Sequence, residues 1–168
     1  MNIFYTSTCP VESANNLCTI HINKMYQECC QLLSTALQLN GVDDKALPRI
    51  THQNHPSAVW TRSSKHHYNW VLKHALSLRA LYGKSHGYDK YLDTIMSHTP
   101  VLSSISFVDP PKCVDDELRK ACIFKSVTEV YQLYLRNKYV DWTTRTDKRK
   151  MVVKFVGEVP TYLDDLTF

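Results

Sequence analysis

Between residues 20 and 39, apolar side chains return at Ile22, Met25, Tyr26, Cys29, Leu33, Ala36 and Leu37, and Asn40-Gly41 closes the run. That is the period of one face of an α-helix, followed by a strong stop. A helix this long cannot hide its apolar face alone, so other helices must cover it. Residues 57–82, behind Pro56, supply a second helical pattern. Its inward stripe holds Trp60, Ser63, Ser64, His67, Trp70, Val71, His74, Leu78 and Leu81; Arg62, Lys65, Asn69, Lys73 and Arg79 face outward. Pro56 suits the first turn of that helix, as Pro10 suits a short one after Thr8 or Cys9. Thr19 is the expected N-cap of the 20–39 helix. A weaker helix is expected over 89–97, and another capped by Asp115 or Asp116, whose pattern runs through Val127, Val130, Tyr131, Tyr134 and Leu135 toward Trp142.

With only 4 glycines in 168 residues, a turn-rich β architecture is disfavoured, and the expected fold is mainly α, compact and single-domain. Two segments read differently. Residues 1–5 suggest a short buried strand or extended entry segment, and 151–156 suggest a short β element. The chain therefore divides into a helical part, 1–145, and a basic, β-prone tail, 146–168, packed on it or extending from it.

The formal charge of +4 permits a polyanionic partner without requiring one. Residues 136–154 carry seven basic groups, Arg145 among them, against two acids, a local +5 suited to backbone phosphates or to water. The six cysteines show no C-x-x-C spacing, so neither a zinc site nor any other metal or cofactor is expected, and all six read as reduced thiols. No secretion signal and no run of about 18 apolar residues is present, which makes a membrane partner unexpected and the cytoplasm the expected location.

Two clusters have no evident packing reason. His21 and Glu28 stand seven residues apart, about two helical turns, so their side chains leave nearly the same side. They fall about a quarter-turn from the stripe centre near Cys29 and Leu33, on the border between core and solvent. Partial burial there suits a carboxylate that moves protons. His52, Asn54 and His55 precede Pro56, where the free amides of a helix start favour anions. Helix capping explains one of these three equally well. His67 and His74, on the inward stripe with two serines, read as a hydrogen-bonded core network. No Walker A loop, G-x-G-x-x-G, H-E-x-x-H or serine elbow appears.

These residues resemble a group of small phage and bacterial proteins that share Met1-Asn-Ile-Phe4, His21, Lys24-Met25, Glu28, Gln31-Leu-Leu-Ser-Thr-Ala36 and Thr51-His-Gln-Asn-His-Pro56. Trp60, Ser64, Tyr68, Trp70, Tyr82-Gly-Lys-Ser-His86 and Trp142-Thr-Thr-Arg145 extend the likeness to about residue 145. That group is distantly similar to the pyrimidine-dimer DNA glycosylase/abasic-site lyases of the endonuclease V type, compact helical enzymes whose catalytic glutamate follows a histidine by seven residues. In that family the N-terminal amine attacks the sugar C1′, forms a Schiff base, and β-elimination cuts the strand. The chain departs from it at Asn2, where the enzymes expose a small residue, and beside Glu28, where Gln27 and Cys29 replace arginines.

The resemblance implies a phage-type DNA-repair enzyme acting on a damaged or modified base in duplex DNA, located in the host cytoplasm if phage-encoded. Glu28 would be the acid/base, His21 its orienting partner, and Met1 or a processed Asn2 the nucleophile. Lys24, His52, Asn54, His55, Arg62, Lys84, His86 and Arg145 would bind substrate. Two alternatives stand beside it: a non-catalytic protein that binds and redirects a host protein, and an enzyme acting on free nucleotides.

Overall fold

The structure, a computed structural model, describes residues 1–166. Seven α-helices and no strand are found among them. They are α1 (Pro10–Asn15), α2 (Thr19–Leu39), α3 (Pro56–Ser63), α4 (Lys65–Tyr82), α5 (Asp89–Met96), α6 (Asp116–Ala121) and α7 (Val127–Thr144), with a 3₁₀ turn at Thr161–Leu163. None is long and apolar enough to cross a membrane.

The 20–39 helix of the sequence is α2, and it is the centre of the molecule. Its buried residues include Ile22, Met25, Tyr26, Cys29, Cys30, Leu32, Leu33 and Leu37, more than one stripe. A helix apolar around most of its circumference must be covered on several sides, and α3, α4 and α5 pack against it. α1 lies on α4, and α6 on α7. Asn40 ends α2, and Gly41 turns the chain with a positive φ of 91° that its missing Cβ makes easy. Thr19 is not the N-cap: Cys18 occupies that position without a side-chain bond, and the Thr19 N–H is met instead by the Lys154 carbonyl at 2.8 Å.

The expected 57–82 helix is two helices. Ser64 is extended (φ −152°, ψ 146°), and its Oγ caps α4 by accepting the His66 N–H at 3.1 Å. The same hydroxyl donates to the Ile105 carbonyl at 2.8 Å, and the Lys65 N–H reaches the Ser103 carbonyl. A serine whose hydroxyl competes with the helix ladder, plus a neighbouring segment offering partners, is enough to break the rod. The stripe reading survives the break, since Trp60, Ser64, His67, Trp70, Val71, His74 and Leu78 are all buried. The pattern from Asp115 to Trp142 also divides. Asp115 caps α6, and Ser126 with Glu129 forms a capping box that starts α7 afresh. That Ser-x-x-Glu signature is plain in the sequence.

His67 and His74 are core residues. His67 Nδ1 donates to the Trp60 carbonyl at 3.1 Å, and Nε2 accepts the Val108 N–H at 3.1 Å. A carbonyl can only accept and an amide can only donate, so this ring is neutral with its proton on Nδ1. His74 is fully buried and donates from Nδ1 to the Pro10 carbonyl at 2.9 Å.

The tail corrects the β expectation. Residues 151–156 form no ladder: the backbone bonds they make beyond the segment go to helix ends, the Met151 N–H to the Trp142 carbonyl and the Lys154 carbonyl to the Thr19 N–H, and no strand edge among the described residues is there to pair with. Val153 and Leu163 are buried, Phe155 packs edge-on against Tyr139, and Tyr162 Oη donates to the Asn16 carbonyl at 3.0 Å. The last two residues of the 146–168 segment lie outside those described.

Ser126→Ala removes the half of the α7 capping box in which the hydroxyl accepts the Glu129 N–H, and leaves the backbone N–H of residue 126 donating to the Glu129 carboxylate. The expected cost is about 1 kcal/mol, or a fall of roughly 2–4 °C in Tm for a domain of this size, measured by thermal melting followed by circular dichroism.

Candidate active site

Residues 1–6 thread between the helices without a β partner; Ile3 and Tyr5 are fully buried and Phe4 nearly so. The segment's polar groups are met by side chains. Asn2 Oδ1 accepts the Ile3 N–H at 2.8 Å and the Phe4 N–H at 3.3 Å, and its Nδ2 donates to the Cys113 carbonyl at 2.8 Å. Ser13 Oγ donates to the Phe4 carbonyl at 3.0 Å. Pinned at both ends of its side chain, Asn2 aims its own backbone N–H at Glu28, whose Oε2 accepts it at 2.6 Å.

Glu28 is the half-buried border residue that the sequence pattern predicts, with 14% of its side chain exposed. Lys24 stands 3.7 Å from Oε1, itself 62% exposed and one turn away on α2. A carboxylate partly withdrawn from water, between an amide and a lysine, can accept or return a proton without large solvent rearrangement.

The segment that carries the histidine pair is docked on α2. Thr35, buried on that helix, exchanges hydrogen bonds of 3.3 Å with the backbone of Thr51, docking the chain just before His52. His52 turns it with a left-handed φ of 48°, and its carbonyl accepts the His55 N–H at 2.8 Å. His52 and Asn54 are exposed on this turn, and Arg62 ties it by donating to the Gln53 carbonyl at 2.6 Å. His55 Nδ1 accepts the Ser57 N–H and caps α3, which leaves Nε2 as the protonated nitrogen of the neutral ring. Burial lowers its pKa first, the positive N-terminus and His52 lower it further, and Glu28 opposes them. The charges acting on His55 are thus those of the site.

Phe4 and His52 are the two non-glycine residues with positive φ among those described; Phe4 follows Asn2 by two residues and His52 precedes His55 by three. Left-handed backbone at a bulky residue costs of order 1–3 kcal/mol and persists only where surrounding contacts enforce it.

A cavity of about 440 Å³ opens beside His55, lined by that residue with Pro56, Pro111, Lys112, Cys113, Val114 and Arg119. It adjoins Asn2 through the Cys113 carbonyl, and Cys113 Sγ lies 3.4 Å from Ser57 Oγ. The Cys113 N–H donates to Tyr131 Oη at 3.0 Å, so this wall is held from both sides. Lys112, Cys113 and Arg119 are additions to the residues legible in sequence. Nothing in local spacing signals them, because the contacts that bring them here span 56 residues or more.

Other expected members are elsewhere. His21 is not on the border but 2% exposed, because the Phe4 ring crosses it edge-on at 4.8 Å and Tyr139 and Trp142 close the far side. Its Nδ1 shares a 3.0 Å hydrogen bond with Tyr139 Oη, and burial, with smaller effects of Lys138 and Lys24, lowers its pKa to about 3. Lys84 and His86 lie across α2: the His86 ring meets Tyr26 and bonds Asn23 Oδ1 at 2.7 Å, roughly 140–160° around the helix from Glu28 at 100° per residue. Lys84 sits over the Tyr82 ring at 5.4 Å. Arg145, at the end of α7, donates twice to the Arg149 carbonyl and folds back the start of the tail. Among the described residues no three His, Cys, Asp or Glu side chains are grouped to hold a metal ion.

Comparison with protein-family models, with curated proteins and with solved structures finds no match to this chain.

The buried histidines make stability depend on pH. Unfolded, each takes its proton near 6.5; folded, His74 does so only at about 4 and His21 at about 3. Between those values the unfolded chain binds more protons. Stability is therefore complete above about pH 6.5 and falls with pH down through the folded values. Urea unfolding at pH 7 and pH 5 should differ by on the order of 2 kcal/mol for each ring, a window in which ordinary carboxylates are still ionised. Equal stability at the two values would contradict the neutral buried rings.

Proposed function

We propose that this chain is a nucleic-acid enzyme of the DNA glycosylase/abasic-site lyase kind, with the compact helical fold of the endonuclease V type. The reading rests on one observation: the Asn2 nitrogen lies 2.6 Å from the half-buried Glu28 carboxylate. Removal of Met1 would turn that nitrogen into an α-amine already held against a proton acceptor. An α-amine, with a pKa of about 7.7–8.0, keeps a useful neutral fraction at physiological pH, which an ordinary lysine does not.

The chemistry follows from that pair. The amine attacks the sugar C1′ as the glycosidic bond breaks, and the base leaves with the bonding electrons and takes a proton. The sugar ring opens to an imine between the amine and C1′. Glu28 takes a proton from C2′, the C3′–O3′ bond breaks by β-elimination, and water releases the amine. Glu28 takes the proton that the amine releases on attack and can pass it to the departing base, while His55, neutral and protonated on Nε2, can hydrogen-bond that base from the cavity wall. Lys24, His52 and Asn54 would contact the sugar-phosphate. The adjoining cavity, about 440 Å³, is large enough to receive a nucleobase drawn out of its stack. His21, under Phe4, would act by fixing the segment that carries the nucleophile.

Asn2 also carries a second reading. If Met1 is retained, the Asn2 nitrogen is an amide with no electron pair to give. Glu28 and His55 would then direct a water molecule at C1′, releasing the base without a covalent intermediate.

The test is borohydride trapping on duplexes carrying an abasic site or a damaged base, with intact mass of the protein. The expected result is a covalent adduct and a mass lacking Met1. Glu28→Gln should lower the rate by about 10²–10⁴-fold while moving stability by no more than about 1 kcal/mol, since the amide oxygen can still accept the Asn2 N–H. Base release without trapping would favour the water mechanism. Affinity for mononucleotides alone, or duplex binding that ignores salt, would remove the DNA reading.

A further inference from the structure

We infer that the turn from Cys122 to Lys125 is a wedge that enters the base stack of a nucleic-acid duplex beside the cavity; the inference rests on the proposed function. The turn joins α6 to α7. Cys122 anchors it inward, 3% exposed, and the Lys125 N–H closes it on the Cys122 carbonyl at 3.2 Å. At its tip Phe124 is 100% exposed and Ile123 67%. Single exposed apolar residues are ordinary, but an adjacent aromatic and β-branched pair at the point of a closed turn forgoes the burial that each side chain would gain in a core.

The tip is held rigidly and close to the cavity. Lys112 Nζ donates to the Cys122 carbonyl at 3.2 Å and to the Lys125 carbonyl at 2.6 Å, clamping both ends of the turn. Lys112 is also a cavity wall, as is Arg119 one turn before the tip. On the far side the Ser126 capping box starts α7 directly, so the turn has no slack.

Chemistry selects the partner. Residues 119–125 carry Arg119, Lys120 and Lys125 and no acid, so cations bracket an aromatic ring; Arg119 pairs with Asp116 and Lys125 with Glu129 through exposed bridges that a phosphate can compete for. A ring flanked by cations matches a stacked base flanked by phosphates, and apolar side chains inserted at a base step unstack it. A flat membrane surface fits less well, because Asp115, Asp116 and Glu117 at the other end of α6, about 9 Å away along a six-residue helix, would meet it too. A base expelled into the cavity leaves a gap in the duplex, and an aromatic ring held beside that cavity can fill it.

The test uses a duplex with 2-aminopurine next to a tetrahydrofuran abasic analogue, with anisotropy reporting binding and 2-aminopurine emission reporting unstacking. The intact protein should bind and raise the emission. Phe124→Ala touches no packed group, so its thermal melt should be unchanged, while binding weakens about tenfold or more and the emission rise is lost. Phe124→Trp should restore both. A Phe124→Ala protein that binds and unstacks like the parent overturns the wedge and leaves the proposed function standing. A parent that neither binds the duplex nor is trapped on an abasic site overturns both. Phe124-dependent sedimentation with phosphatidylglycerol vesicles, without duplex binding, overturns the wedge in favour of a lipid surface.

Discussion

A buried extended segment in an all-helical protein is the constraint on which the rest of this structure depends. Residues 1–6 run through the interior, where no sheet edge can take their amides and carbonyls. An unpaired buried amide or carbonyl costs as much as a lost hydrogen bond or more, so the helices must supply side chains as partners. Ser13 serves Phe4 and Thr6, Gln132 serves the Thr6 carbonyl, and Asn2 serves its own successors. Glu28 belongs to this set: its carboxylate is both the acceptor that the segment's second amide needs and a charge felt by His55 in the cavity wall. Fold and candidate chemistry thus share one hydrogen bond.

The same constraint explains what sequence reading reached and what it missed. The period of α2, its stop at Asn40-Gly41, the opening of α3 at Pro56 and the half-burial of Glu28 are local properties, and they were legible. The break at Ser64 was not, because it needs the carbonyls of Ser103 and Ile105, about forty residues away. Helix phase alone puts His21 on the border. Phase cannot know that an N-terminal phenylalanine will cross that face. The β-like tail failed for a related reason, since alternation describes a strand only where a partner edge exists. Lys112, Cys113 and Arg119 entered the site through long-range contacts that no spacing rule covers.

Electrostatically the site is mixed rather than strongly basic. Lys24 leans on Glu28, Arg119 pairs with Asp116, and His55 is discharged by burial and by the positive N-terminus. Such a site does not gather substrate by field strength alone. Shape must contribute, through the cavity between His55 and Pro56 on one side and the 111–119 segment on the other. The basic run of residues 136–154 lies apart, committed in part to the tail through Arg136–Asp165 and Arg145–Arg149.

The distribution of thiols has a practical consequence. Burial pushes Cys18 upward in pKa, Cys30 to about 12 and Cys29 well above its ordinary value, and Cys122 is shut beneath the tip. Alkylating reagents therefore meet two sulfurs outside the core: Cys9, exposed ahead of α1, and Cys113, partly exposed in the cavity wall. Cys9 serves as an internal standard, remote in sequence from the cavity and indifferent to its contents. Cys113 becomes a footprinting reporter, modified quickly when the cavity is open and protected when something fills it. The chain carries its own occupancy gauge, readable by mass without any substitution.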